Sequence, residues 1–277
     1  MWVEADADAG GVRIRYRVTG AGPTLLLVHA TGFHGLVWEP WVPRLAERSR
    51  VITLDQRGHG DSEKPPSGYD WTGFGADILA VVDAADASGA AGVGHSAGAA
   101  ALIHAETARP GTFRKLVLMD PVLISPDMRA IADVVENPMS AAARKRRAVW
   151  DSRDEMAARL RDGTPLAEWR DDFLHAYVDG GTVPTEDGRF ALKCPPEIEA
   201  QVYEGSGRHD GYEKLSRLTC PVLFMAGERS HMWASPRRDE AAAQLRHGEL
   251  AVIDGGHFFP MENPDATLDA VLDFLDA

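Results

Sequence analysis

Apolar and polar positions along the chain follow two rhythms. Val12, Ile14, Tyr16 and Val18 alternate with Arg13, Arg15 and Arg17, a period of two that predicts a half-exposed edge strand over 12–18. Thr24 to Val28, Arg50 to Leu54 and Lys115 to Met119 are instead nearly unbroken apolar runs, the mark of strands covered on both faces. Gly89 to Val93, Pro221 to Ala226 and Glu249 to Ile253 are further strand candidates. Between them the spacing lengthens. Phe74, Ile78, Val81, Val82 and Ala85 recur at helical intervals over 72–87, and helices are also predicted over 37–46, 97–108, 235–246 and 264–275. Strands alternating with helices imply a parallel sheet wound with helices on both faces, an α/β fold.

The alternation breaks once, between Leu123 and Leu218. That stretch reads as helices, one with Leu166, Trp169, Phe173 and Tyr177 as an aromatic stripe and another with the basic run Arg144 to Arg147. The expected organisation is a core of 1–122 and 219–277 with a helical cap, 123–218, inserted after a strand end as a lid.

Composition narrows this picture. The 277 residues, 44% of them hydrophobic, suffice for one large domain with an insertion. A net charge of −13 argues against nucleic acid or an anionic membrane surface as partner. Cys194 and Cys220 are far apart and form neither a disulfide framework nor a zinc spacing. The opening Met1-Trp2-Val3-Glu4-Ala5-Asp6 lacks the pattern of a signal peptide, and no apolar run reaches membrane-spanning length. The expectation is a soluble cytoplasmic protein. No histidines fall at metal-ligand spacing, so neither metal nor cofactor is expected.

Candidate chemistry begins at Gly94-His95-Ser96-Ala97-Gly98, a Gly-x-Ser-x-Gly pentapeptide between a strand candidate and an Ala-rich helix candidate. Strand, sharp turn and helix project the serine hydroxyl above the sheet, and the glycines make room for neighbouring backbone. Serine is a poor nucleophile unless a base lies within hydrogen-bond reach. A further histidine, His257 in Gly255-Gly256-His257-Phe258-Phe259-Pro260, lies on a glycine loop after the last predicted strand.

With these motifs, with Leu25-Leu26-Leu27-Val28-His29-Ala30-Thr31-Gly32-Phe33 and with Asp55-Gln56-Arg57-Gly58-His59-Gly60-Asp61-Ser62, the chain resembles the α/β-hydrolase family over nearly its whole length outside the insertion. The resemblance implies a mostly parallel, doubly wound, eight-stranded sheet with an inserted cap. It implies Ser96 as nucleophile, His257 as base, and the backbone N–H groups of Thr31 and Ala97 as oxyanion donors. His29 is read as shaping its loop, in which Ala30 stands where glycine is usual. Many relatives carry the triad acid in a Gly-x-x-Asp turn, but here Ala226-Gly227-Glu228-Arg229-Ser230 puts Ser230 in that place. The acid is therefore assigned to Asp120, at the end of the adjacent strand, with Glu228 as the alternative.

The function expected is a serine hydrolase cleaving an ester, thioester or lactone. Carbon–carbon bond hydrolysis, cofactor-free perhydrolysis and a ligand receptor with vestigial activity are the alternatives. Phe33, His95, His231, Trp150, Trp169, Phe173 and Tyr177 are the candidate pocket residues, with Met128 and Met139 nearby in the cap. They point to a small-molecule substrate with an apolar or aromatic part.

Overall fold

The unbroken apolar runs become the middle of one sheet. The computed structural model describes residues 1–126, 129 and 137–277, so Met128 lies outside the described residues. In chain order the strands of this sheet are β1 (Val3–Asp8), β2 (Arg13–Thr19), β3 (Thr24–Val28), β4 (Arg50–Leu54), β5 (Ala90–His95) and β6 (Phe113–Met119), then β10 (Val222–Gly227) and β11 (Gly248–Ile253). Their spatial order is β1-β2-β4-β3-β5-β6-β10-β11, antiparallel across β1–β2 and β2–β4 and parallel elsewhere. Side chains alternate strictly between the two faces. Leu25, Leu27, Val117, Met119, Leu223 and Met225 enter one apolar layer, whereas Leu26, Val28, Leu116, Leu118 and Phe224 enter the other.

The edge position expected for β2 is corrected. β1 pairs outside it, with Glu4 opposite Arg17 and Asp6 opposite Arg15. Arg17 is not a solvated base: it is 2% exposed and bridges Asp55 at 3.0 Å, Asp61 at 2.6 Å and Glu4 at 2.8 Å.

The segment inserted between β6 and β10 carries helices Pro138–Arg144, Arg153–Arg161, Asp171–Gly180 and Pro196–Gly205. It also carries a small antiparallel sheet, β7 (Val149–Trp150), β9 (Phe190–Leu192) and β8 (Thr182–Pro184), which the helices-only expectation missed. The aromatic stripe is split as well. Leu166 and Trp169 lie in a turn before the helix that holds Phe173 and Tyr177. The insertion nevertheless shares an apolar layer with the sheet, since Trp150, Trp169, Phe173 and Tyr177 pack with Phe33, Trp38, Trp41 and Phe259. Among the described residues no helix is long and apolar enough to cross a membrane.

Strand order reverses beside β3, because β4 lies on one side of it and β5 on the other. Loops leaving the ends of such strands diverge and open a crevice. The ends of β3, β5, β6 and β10 carry the residues considered next.

Candidate active site

β5 ends at His95 and the next helix begins at Ala97, so Ser96 alone makes the turn, at φ 56° and ψ −115°. A non-glycine residue in that region is strained by about 1–3 kcal/mol and persists only where its surroundings hold it. Here the Ser96 N–H donates to the Met119 carbonyl (2.9 Å) and the Val122 N–H to the Ser96 carbonyl (3.2 Å). The two flanking glycines are obligatory. A Cβ on Gly98 would lie 2.5 Å from the Val28 carbonyl oxygen, and one on Gly94 would lie 2.7 Å from Gly98 backbone.

His257 reaches the serine from the loop after β11. Gly255 turns that loop at φ 150°, and the Gly256 N–H donates to Glu262 Oε2 at 2.5 Å. Burial raises the Glu262 pKa from its ordinary value, partly offset by that N–H. The His257 Nδ1–H donates to Asp120 Oδ2 at 2.6 Å, and the Ser96 hydroxyl lies 3.0 Å from His257 Nε2. An ionised carboxylate only accepts, so the imidazole proton sits on Nδ1 and the Nε2 lone pair faces the serine. Asp120 is fully buried, adopts φ 43° and is tied by its N–H to the Met225 carbonyl at 2.8 Å.

Of the two acids weighed from the sequence, Asp120 meets the imidazole. Glu228 is exposed on the surface. The turn that carries it contributes differently: the Ser230 hydroxyl donates to Asp120 Oδ2 at 2.6 Å. That contact was not foreseen, although the Gly-x-x-Ser spelling of the turn marks the position.

The loop after β3 is held by two neutral histidines. The Gln56 N–H donates to His29 Nε2 (2.9 Å), while His29 Nδ1–H donates to the Ala30 carbonyl (2.7 Å). The Gly32 N–H donates to His59 Nε2 (3.0 Å), and His59 Nδ1–H donates to the Arg57 carbonyl (2.9 Å). Burial, with repulsion between the two rings, lowers His29 to about 3, and burial lowers His59 to about 4. Asp55 anchors the same region by accepting from the Gly35 and Asp61 N–H groups. Its burial alone would raise its pKa, but Arg17 and those donors bring it down to about 2. The N–H groups of Thr31 and Ala97 meet no protein acceptor among the described residues.

Phe33 is the hub of the surrounding side chains. Its ring lies 5.2 Å from Trp169, 5.2 Å from Tyr177, 5.8 Å from Phe258 and 6.3 Å from His95. His95 is buried with its Nε2–H on the His257 carbonyl at 2.8 Å, and burial lowers its pKa well below the ordinary value. Phe258, beside the base in sequence, was not singled out earlier. Phe173 turns instead to Trp41, edge-on at 5.9 Å, and Trp150 lies under the Arg147 guanidinium at 4.5 Å. His231 and Met139 are exposed. Two cations line a narrow cavity with Gly32 and Phe33, and both are paired: Arg146 with Glu199 and the Tyr177 hydroxyl, Lys193 with Asp61. Among the described residues no cluster of side chains is arranged to hold a metal ion.

The mostly parallel sheet and the serine turn at its switch point define the class, and the sequence profile of the alpha/beta hydrolase family matches residues 25–270. The chain belongs to that family. Over its full length it is 27% identical to 2-(acetamidomethylene)succinate hydrolase of Mesorhizobium japonicum, 96% of which is covered. It is 26% identical to the pimeloyl-[acyl-carrier protein] methyl ester esterase of Xanthomonas campestris, over 94% of this chain and 98% of that one. The crystal structure of E-2-(acetamidomethylene)succinate hydrolase superposes with a TM-score of 0.88 at 26% identity, each chain covered completely. The relatives are hydrolases, and the coarse function they support is hydrolysis on an α/β-hydrolase scaffold.

Proposed function

We propose that the protein is a serine hydrolase acting on a carboxylic ester, thioester or lactone with an apolar or aromatic part. The observation that carries this reading is the continuous relay from Ser96 Oγ through both nitrogens of His257 to Asp120 Oδ2, with links of 3.0 and 2.6 Å. Ser96 Oγ attacks the substrate carbonyl carbon as its proton passes to His257 Nε2. The carbonyl oxygen takes up negative charge and is met by the Thr31 and Ala97 N–H groups, each worth about 3–4 kcal/mol. His257 then gives the proton to the leaving oxygen or sulfur, and the acyl group stays on Ser96. Water, deprotonated by the same nitrogen, attacks the acyl-enzyme and releases the acid. Asp120 fixes the imidazole tautomer and stabilises the imidazolium without itself taking the proton.

A second reading is favoured by the full-length similarity to a hydrolase of an acetamidomethylene-substituted succinate, a substrate with an amide and two carboxylates. The charges beside the site speak for the ester. Arg146 and Lys193 are already neutralised by Glu199 and Asp61, and a dianionic substrate has to displace those partners to be paired.

The test is a fluorophosphonate followed by intact mass. One adduct that disappears in Ser96→Ala is expected; no adduct, or an adduct that survives the substitution, removes the serine mechanism. An ester series of increasing chain length separates the substrate readings. Faster turnover of longer or aromatic acyl groups is expected, and a preference for small dicarboxylates favours the second.

A further inference from the structure

We infer that Ser230 is a positioning residue of the triad, its hydroxyl holding the carboxylate of Asp120 in the orientation that meets His257. The inference rests on the triad reading above. The Ser230 hydroxyl and the His257 Nδ1–H converge on the same oxygen, Oδ2, each at 2.6 Å, while Oδ1 has the Gly227 N–H at 3.3 Å. A wholly buried carboxylate needs donors in place of water, and a hydroxyl donating to an ionised oxygen is among the stronger kinds. Ser230 itself is buried, and its position is fixed by the turn that its N–H closes on the Gly227 carbonyl at 3.1 Å.

This bond is not turn chemistry. A turn serine ordinarily satisfies its hydroxyl on backbone one or two residues away. Ser230 instead reaches a side chain 110 positions distant in sequence. The sheet makes that possible, because β6 and β10 run parallel side by side and Met119 pairs with Met225, so Asp120 and the 227–230 turn leave the same edge together. Without the hydroxyl, Oδ2 keeps the imidazole as its sole side-chain partner, and only that bond and the long Gly227 N–H contact on Oδ1 resist rotation of the carboxylate about its χ2.

The experiment compares Ser230→Ala, Asp120→Asn, the double variant Asp120→Asn/Ser230→Ala and Ser230→Cys on a p-nitrophenyl ester. Thermal unfolding identifies which variants are folded, and fluorophosphonate labelling of the parent protein is the baseline. Ser230→Ala is expected to lower kcat on the order of 10-fold with KM held within about twofold, as for an interaction used mainly in the transition state. Asp120→Asn is expected to lower kcat on the order of 10⁴-fold. Adding Ser230→Ala to it is expected to cost less than about twofold more, because the hydroxyl acts through the carboxylate already removed, whereas a merely structural serine costs the same in either background. A folded Ser230→Ala with unchanged kcat, or one whose loss lies wholly in KM, overturns the inference. If Ser230→Ala does not fold, Ser230→Cys decides: a folded variant with kcat lowered at unchanged KM supports the inference, and one with the parental kcat overturns it. A parent protein that is not labelled at Ser96 removes the triad reading itself, a result distinct from a labelled parent indifferent to position 230.

Discussion

The sheet edge that carries Ser96 and the segment inserted between β6 and β10 are both rich in polar side chains, and they use them in opposite ways. At the edge the groups are buried. Asp55, Asp120, His29, His59 and His95 are each at most 1% exposed, and each is held by backbone or by a buried partner. The insertion is laced with arginine pairs instead: Arg144–Glu197, Arg147–Glu155, Arg161–Asp171 and Arg170–Asp265, whose acidic members are 40–86% exposed. Exposed pairs of this kind contribute little and are screened by salt. Buried groups cannot shift without leaving a partner unsatisfied. The edge is thus rigid by necessity, while the insertion is attached mainly by its aromatic layer, with a charge pattern that tolerates change. Arg146 is the exception, since its partner Glu199 is only 6% exposed.

Acid acts first on the buried histidines of the edge. Burial lowers His29 to about 3 and His59 to about 4, against 6.5 in the ordinary state. Above pH 6.5 these groups are neutral whether the chain is folded or not, so stability does not depend on them. As pH falls below 6.5 the unfolded chain takes up protons that the native state refuses, and stability declines until the folded values are reached. At pH 5 the loss is about 2 kcal/mol per histidine. A loss of that size is a large share of the whole stability of an ordinary domain, about 5–15 kcal/mol. Equilibrium denaturation between pH 8 and 4.5 is expected to show a flat plateau above pH 7 and a steep fall below 6. A stability independent of pH down to 4.5 contradicts the neutral, buried state of these rings.

Much of this contrast was legible in the sequence, for reasons that differ from residue to residue. Strands β3, β4, β6 and β10 were read within two residues of their ends because burial on both faces leaves an unbroken apolar run. β1 escaped because only Ala7 is buried and Ala5 half-buried, small residues among the exposed Val3, Glu4, Asp6 and Asp8, so no apolar alternation shows. Arg17 looked solvated because the acids that bury it, Asp55 and Asp61, come from a loop about 40 residues on. β7, β8 and β9 are two or three residues long, too short for a period to show. Ser96, Asp120 and His257 could be placed on one edge because each follows a strand of the same sheet. The Ser230 bond could not, since it depends on a side-chain direction across two neighbouring strand ends.

Two single substitutions break the edge by smaller amounts. Arg17→Met removes the partner of a buried carboxylate and leaves the Asp55 charge without its guanidinium, so a loss of about 3–5 kcal/mol is expected in urea denaturation. Gly98→Ala drives a Cβ toward the Val28 and His29 carbonyls, 2.5 and 2.6 Å away. Overpacking of that kind costs about 1–3 kcal/mol. Because the displaced backbone bears the serine turn and the Ala97 N–H, labelling of Ser96 is expected to slow more than the stability change implies. Equal losses in stability and labelling would separate the glycine from the site.

The smallest effect tests the other side of the comparison. Arg170 joins the insertion to the C-terminal helix, Pro264–Asp276, by pairing with Asp265 at 2.7 Å while it also holds Asp172 at 2.8 Å. If the insertion is attached by its aromatic layer, Arg170→Ala removes only screened contacts, apart from the guanidinium lying 5.5 Å over the Phe173 ring. The expected loss is under about 1 kcal/mol, shrinking further in 0.5 M salt, because the Debye length there falls to a few ångströms. The backbone bond from the Arg170 N–H to the Met261 carbonyl, 2.9 Å, is untouched by the substitution and keeps the segment in register. A loss of several kcal/mol that salt does not reduce means that the charge pair, rather than Trp169, Phe173 and Tyr177 against Phe33 and Trp41, holds the insertion over the serine.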